Sequence, residues 1–315
     1  MNEVWPVGVK SPLTLDGWLE FNHYKWGVKP LNIRLTEKGK ELPAIEAVLY
    51  LDAKGRIVQP PLNPYLPVAF YPTPSNSWTR LYRQWMSVSE CLVQEFIKRG
   101  QKGSLAFPPE LIDVRQWQWS GFLSEVRYTF YVSLPYDLEL ADYSQHKQLK
   151  KALKTGFVCE VAPKHMCAEV IACLAETEVR QQFAYRIDAK DLETALHLLG
   201  EEILRIYVCK SATNEVASAR VVINAPGSIA IDWVAGTKKK FLSSGATQLL
   251  IYHALTDVAQ EGAIGFDFAG ANLPTVSTAK AEWGGRLMPY YAVRPLNLRT
   301  VGVLGYRMLR QRKRP

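Results

Sequence analysis

The sequence has no apolar run long enough to span a membrane, and its five cysteines include no C-x-x-C pair. Cys91, Cys159, Cys167, Cys173 and Cys209 are odd in number, which predicts reduced thiols in a cytoplasmic protein rather than a disulfide framework. The opening Met1-Asn-Glu-Val-Trp-Pro6 lacks a basic stretch followed by an apolar core, so export is not expected. No extended heptad segment is present, which excludes a long coiled-coil arm, and no metal site is expected. What remains is an ordinary globular composition, 48% hydrophobic and 22% charged, and 315 residues favour two domains over one.

The net charge of +8 permits an anionic partner without identifying one. Arg307, Arg310, Arg312, Lys313 and Arg314 crowd the C-terminus, either as a solvated tail or as a contact for RNA or an anionic membrane. Residues 301–315 are therefore read as a basic tail.

In the first part of the chain, Leu15 to Trp26 predicts a short helix with Asp16 near its start. Leu49 to Val58 reads as a hairpin around a Lys-Gly turn. Pro60 to Pro74 carries six prolines and is extended or looped. From Trp78 to Arg99 apolar residues recur at helical spacing (Leu81, Trp85, Val88, Leu92, Phe96) until Gly100. Trp117 and Trp119 share a face if their segment is a strand, giving either a stacking surface or core packing. Glu125 to Leu134, aromatic and β-branched, predicts a strand.

Residues 1–137 form one expected domain and 138–300 a second, which opens with a helix over Gln145–Lys154 capped by Ser144. Its four lysines form a solvated face or a phosphate contact. Beyond it the pattern gives β-α-α-β-β-β-α-β-α-β, ending with a strand over Ile264–Phe268, a short helix over Thr278–Trp283 and a strand from Arg286. Meander and crossover connections mix, so an α+β sheet fits better than a doubly wound one.

The chemistry is sought at the end of the Ile264–Phe268 strand. Asp267 interrupts an apolar run, where a carboxylate needs a partner, and Lys280 precedes the Gly284-Gly285 pair. Trp233, in the strand before the long helix, walls a cleft or fills the sheet core.

This order, with Arg127–Leu134, Lys151–Gly156, Gly245–Tyr252, Gly262–Gly270 and Lys280–Gly284, resembles the GNAT-type N-acyltransferases, and in particular their FemABX-like branch. The segments around Asp267 and Lys280 look like that branch's strand ending Asp-Phe-x-Gly and its Phe-Lys-x-x-Phe-Gly element, with Ala279 and Trp283 replacing the phenylalanines. The resemblance implies two GNAT-like α/β units in tandem, the N-terminal one degenerate, each a mixed and mostly antiparallel sheet with flanking helices.

It further implies an activated acyl donor, acyl-CoA (acetyl-CoA among them) or alternatively aminoacyl-tRNA. The donor would be cradled by the backbone of Val234, Ala235 and Gly236 and by Ser243, Ser244, Gly245 and Ala246 at the following helix start, where free N–H groups suit phosphate. Lys280 and Asp267 become the candidate catalytic residues, and Trp233, Gly270 and Trp283 face an amine or amino-sugar acceptor. The loop departs from the usual pyrophosphate signature, with Phe241 and Ser244 at its first two positions and only Ala246 matching. Two other readings follow from that departure and from the charge: an inactive GNAT-like scaffold, and a module that binds RNA or an anionic surface.

Overall fold

The computed structural model describes residues 11–37 and 39–296, so the basic segment from 301 lies outside the described residues. Helix α1 (Asp16–Trp26) precedes strands β1 (Lys29–Thr36), β2 (Pro43–Leu51), β3 (Ile57–Val58) and β4 (Val68–Phe70). Helix α2 (Trp78–Arg99), β5 (Leu105–Ala106), α3 (Arg115–Trp119) and β6 (Phe122–Ser133) follow. The second half runs α4 (Tyr143–Lys154), β7 (Val158–Val161), α5 (Cys167–Gln181), α6 (Ala189–Leu199), β8 (Leu204–Lys210), β9 (Val216–Ile223) and β10 (Ile229–Thr237). It closes with α7 (Ala246–Gln260), β11 (Gly265–Asp267), α8 (Pro274–Ala281) and β12 (Arg286–Pro295).

The chain divides into two compact units, one of Gly27–Arg127 with the chain from Tyr290, the other of Tyr128–Pro289 with α1. In the first unit β1 and β2 form a long antiparallel pair, and β2 also takes β3 and β4. The hairpin expected before Val58 is present: Tyr50 faces Val58, and Asp52 closes the turn by accepting from the Lys54 and Arg56 amides. The proline stretch forms one short strand, β4, where three consecutive residues lack proline and can donate to a ladder. Helix α2, capped by Ser77, buries the stripe read from its spacing. Its Trp85 meets Phe70 edge-on, and Phe96 meets Trp117.

The segment around Trp117 is a helical turn and not a strand. Asp113 holds both the Arg115 amide and its guanidinium, which starts the turn. Trp117 is consequently buried while Trp119 is 62% exposed, so the two rings share no stacking face.

In the second unit the strand order is β6-β11-β10-β9-β8-β7, antiparallel except where β10 meets β11. Helix α5 covers β9 and β10, and α7 covers β7, β8 and β9. Helix α1 joins this unit through α6, with a Lys25–Asp191 ion pair of 2.5 Å. A buried seam ties α7 to β8: Arg205 forks onto Asp257, which also accepts from the Tyr207 hydroxyl at 2.6 Å. Helix α4 begins one residue before the expected cap. Asp142 occupies the N-cap and accepts from the Ser144 amide, because a carboxylate answers the helix dipole better than a hydroxyl. Helix α8 begins at Pro274, earlier than Thr278, with proline at a position that needs no N–H.

Helix α5 approaches β10 so closely that a Cβ on Gly236 would lie 2.3 Å from the Cys173 carbonyl oxygen. Gly236→Ala is expected to destabilise the chain by about 2–3 kcal/mol through forced separation of helix and strand. Gly227→Ala, in open space at φ +73°, should cost only about 1 kcal/mol, as read by urea unfolding.

Candidate functional site

Strands β10 and β11 run parallel but pair at only three positions, Ile229 with Gly265, Ala230 with Phe266 and Ile231 with Asp267. Beyond that, β10 continues to Thr237 while β11 has ended, so the two splay apart. The departure of β11 has a visible cause. Asp267 Oδ1 accepts from Thr129 Oγ1 at 2.5 Å and from the Ala269 amide at 2.7 Å, and the Gly270 amide donates back to Thr129 Oγ1 at 3.1 Å. The chain turns through positive φ at Ala269 (+50°) and Gly270 (+88°).

Lys280 locks that turn. Its Nζ donates to the carbonyls of Phe268, Ala269 (3.1 Å) and Gly270 (2.7 Å), the full donor capacity of an ammonium. Burial of the ammonium pulls its pKa below the ordinary lysine range; Asp232 opposes this, Arg220 adds to it, and Asp267 opposes it.

Asp232 on β10 and Arg220 on β9 form a buried ion pair, 8% and 6% exposed, through Oδ2 and Nη1. Oδ1 of Asp232 and Nε of Arg220 have no partner among the described residues. Each such orphan costs about 1–3 kcal/mol, so the pair is an incompletely satisfied network. A bulge at Trp233 breaks the register with β9 beside it. Farther along β10, Tyr185 Oη donates to the Ala235 carbonyl at 3.0 Å, with its own pKa pushed up by burial to about 12. The Thr237 amide donates to Thr177 Oγ1, and its carbonyl accepts from Arg180. Among the described residues no group of side chains could hold a metal ion.

No protein-family model matches the chain, and no curated protein matches it in sequence. Solved structures do match. A crystal structure of FemX superposes with a TM-score of 0.67 at 14% identity, covering 90% of this chain and 92% of that one. The fold is that of FemX. L-PGS from Bacillus licheniformis matches with a TM-score of 0.56 at 12% identity, over 92% of this chain and 91% of its own. The C-terminal domain of a putative lysylphosphatidylglycerol synthetase from Agrobacterium fabrum gives 0.54 at 8% identity, over 87% of each chain. The architecture is accordingly α+β, with two units of mixed, mostly antiparallel sheet and flanking helices.

Within this FemX-like fold three of the sequence-derived candidates come together and the others lie apart. Lys280, Asp267 and Gly270 meet at the β11 turn, and Gly270 contributes one carbonyl to the lysine. Trp283 is buried at 1% exposure, its carbonyl accepting from Tyr136 Oη at 2.8 Å. Trp233 lies edge-on to Trp18 and Phe21 of α1, at 5.3 and 5.7 Å.

The loop before α7 is occupied with itself and with α4. Ser244 donates to Phe241 through both amide and hydroxyl, its Oγ takes the Ala246 amide, and Lys151 Nζ reaches the Ser243 carbonyl at 2.6 Å. A Cβ on Gly245, at φ +87°, would lie 2.2 Å from the Gln148 carbonyl oxygen. Arg220, Asp232, Tyr185 and Thr129 escaped the sequence reading. Asp232 carries the same signal as Asp267, a carboxylate in an apolar strand, and Arg220 is a cation within the apolar run of β9.

Lys280→Met would leave three carbonyls of the turn without their donor and Asp267 without its neighbouring charge. A loss of about 3 kcal/mol is expected in denaturant unfolding, well above the cost of an exposed lysine change such as Lys102→Met.

Proposed function

We propose that this chain is an N-acyltransferase that moves an acyl or aminoacyl group from an activated donor to an amine acceptor, an amino sugar among the candidates. The observation that carries the reading is the Arg220–Asp232 pair, buried beside the splayed length of β10 with one donor and one acceptor unused. Acyl transfer needs that combination: a base for the attacking amine's proton and a donor for the oxyanion that forms on the carbonyl. In this reading Asp232 Oδ1 takes the proton as the amine nitrogen attacks the acyl carbon, and Arg220 Nε donates to the developing oxyanion. That attack forms the C–N bond and a tetrahedral intermediate; its collapse re-forms the carbonyl as the bond to the leaving group breaks, and the leaving group takes the proton that Asp232 received. Lys280 is fully engaged by carbonyls, so it fixes the turn and supplies positive potential, while Asp267 and Thr129 hold the strand end.

A coenzyme A pyrophosphate fits the loop before α7 poorly. The Ser244 and Ala246 amides are already satisfied internally, and Gly245 is pressed against α4. An aminoacyl ester is therefore the donor class favoured. An aminoacyl group also suits the fold neighbour described as a lysylphosphatidylglycerol synthetase. The same internally bonded loop supports a second reading, a binding scaffold without turnover.

Melting curves with acyl-CoAs, free coenzyme A and aminoacyl-tRNA separate the donors, because a ligand that binds the folded chain raises its melting temperature. Asp232→Asn is expected to lower kcat by about 10²–10³-fold with KM little changed. An unaltered kcat would remove Asp232 as base. Binding of a donor with no turnover toward any amine would leave the scaffold.

A further inference from the structure

We infer that the face formed by the end of α4, the start of β7 and the turn before α7 docks on an anionic lipid surface. This is independent of the acyl-transfer reading. Three contacts weld these segments into one patch: Lys151 to the Ser243 carbonyl, the Phe157 and Phe241 rings edge-on at 5.8 Å, and Gly245 against α4. The patch presents aliphatic side chains to solvent, Leu153 at 61%, Val158 at 62% and Leu242 at 45% exposure.

Lysines surround them. Lys150, Lys154 and Lys239 are exposed and make no ion pair among the described residues. Of the nearby carboxylates, Glu215 pairs with Lys238 and Lys240, Glu160 pairs with Lys210, and Glu176 accepts from the Lys239 backbone amide. The surface therefore combines unneutralised ammonium groups with apolar tips that gain nothing from water.

That pairing fits the headgroup boundary of a bilayer, where lysines meet anionic lipid and the aliphatic tips bury in the acyl region. It fits RNA poorly, since such a surface uses arginines and exposed rings for stacking. Here the two rings at the seam pack on each other, and the exposed groups between the lysines are aliphatic. Among the described residues no helix is long and apolar enough to cross a membrane, so the association would be peripheral.

The test is flotation of the full chain with vesicles of pure phosphatidylcholine and with equimolar phosphatidylcholine and phosphatidylglycerol. Binding is expected only to the second, weakening with salt. Lys150→Glu with Lys154→Glu should lower partitioning at least about 25-fold, some fivefold for each charge removed. Leu153→Ser with Leu242→Ser, which leaves the charge unchanged, should lower it about tenfold. Because these side chains are exposed, unchanged melting temperatures show that the fold is retained. Failure to float with the anionic vesicles would overturn the inference. So would flotation that neither pair weakens, which would place the contact elsewhere, for instance in residues 301–315. A transfer RNA bound with the same loss in the lysine pair and no effect of the leucine pair would assign the patch to RNA instead.

Discussion

A buried ammonium that collects three successive carbonyls sets the geometry of the second unit. Peptide carbonyls normally alternate in direction along a strand, and bringing those of Phe268, Ala269 and Gly270 onto Lys280 requires the chain to leave β geometry. It does so through left-handed backbone at Ala269 and Gly270, which is costly for alanine and inexpensive for glycine. Asp267 and Thr129 hold the near side of the same turn. Strand β11 is thereby taken away from β10 after three pairs, and the length of β10 that β11 leaves unpaired is available to other partners.

What fills that length is uneven. At its far end Tyr185, Thr177 and Arg180 satisfy the groups of Ala235 and Thr237, much as a neighbouring strand would. At its near end sits Asp232, paired to Arg220 but with an oxygen unused. A sheet edge closed by side chains at one end and left with orphaned charge at the other is polarised toward the orphaned end. The glycines read as donor contacts have other reasons for being glycine, since Gly236 admits α5 and Gly245 admits α4. Close approach of a backbone demanded glycine at both places, and the backbone that approaches belongs to this chain.

The order of elements in the second unit was legible because each announces itself locally, through periodicity, caps and turn residues. The hairpin at Tyr50 and the stripe on α2 were legible for the same reason. The site was legible in part. Asp267 stood out as a carboxylate in an apolar run, and Asp232 is the same kind of residue, yet its partner lies 12 residues back on another strand. Only the register of β9 and β10, with its bulge at Trp233, brings the two together. The role of Lys280 was hidden for a different reason: three carbonyls converge only because Ala269 takes a positive φ that its side chain does not advertise. Trp119 faces solvent because a single carboxylate, Asp113, starts a helical turn where alternation suggested a strand.

In the acyl transfer proposed above, the charges around the splay would also constrain the form in which an amine arrives. Lys280 and Arg220 oppose Asp232 and Asp267, so the cluster is formally neutral and offers an incoming ammonium no net attraction to offset its loss of water. A neutral amine would pay far less, and Asp232 Oδ1, without a partner among the described residues, would then take the proton released as that amine attacks. Protonation of Asp232 would in turn weaken its hold on Arg220 and free the guanidinium for a developing oxyanion. Proton removal and oxyanion stabilisation would, in that proposal, be two consequences of one transfer at a single ion pair.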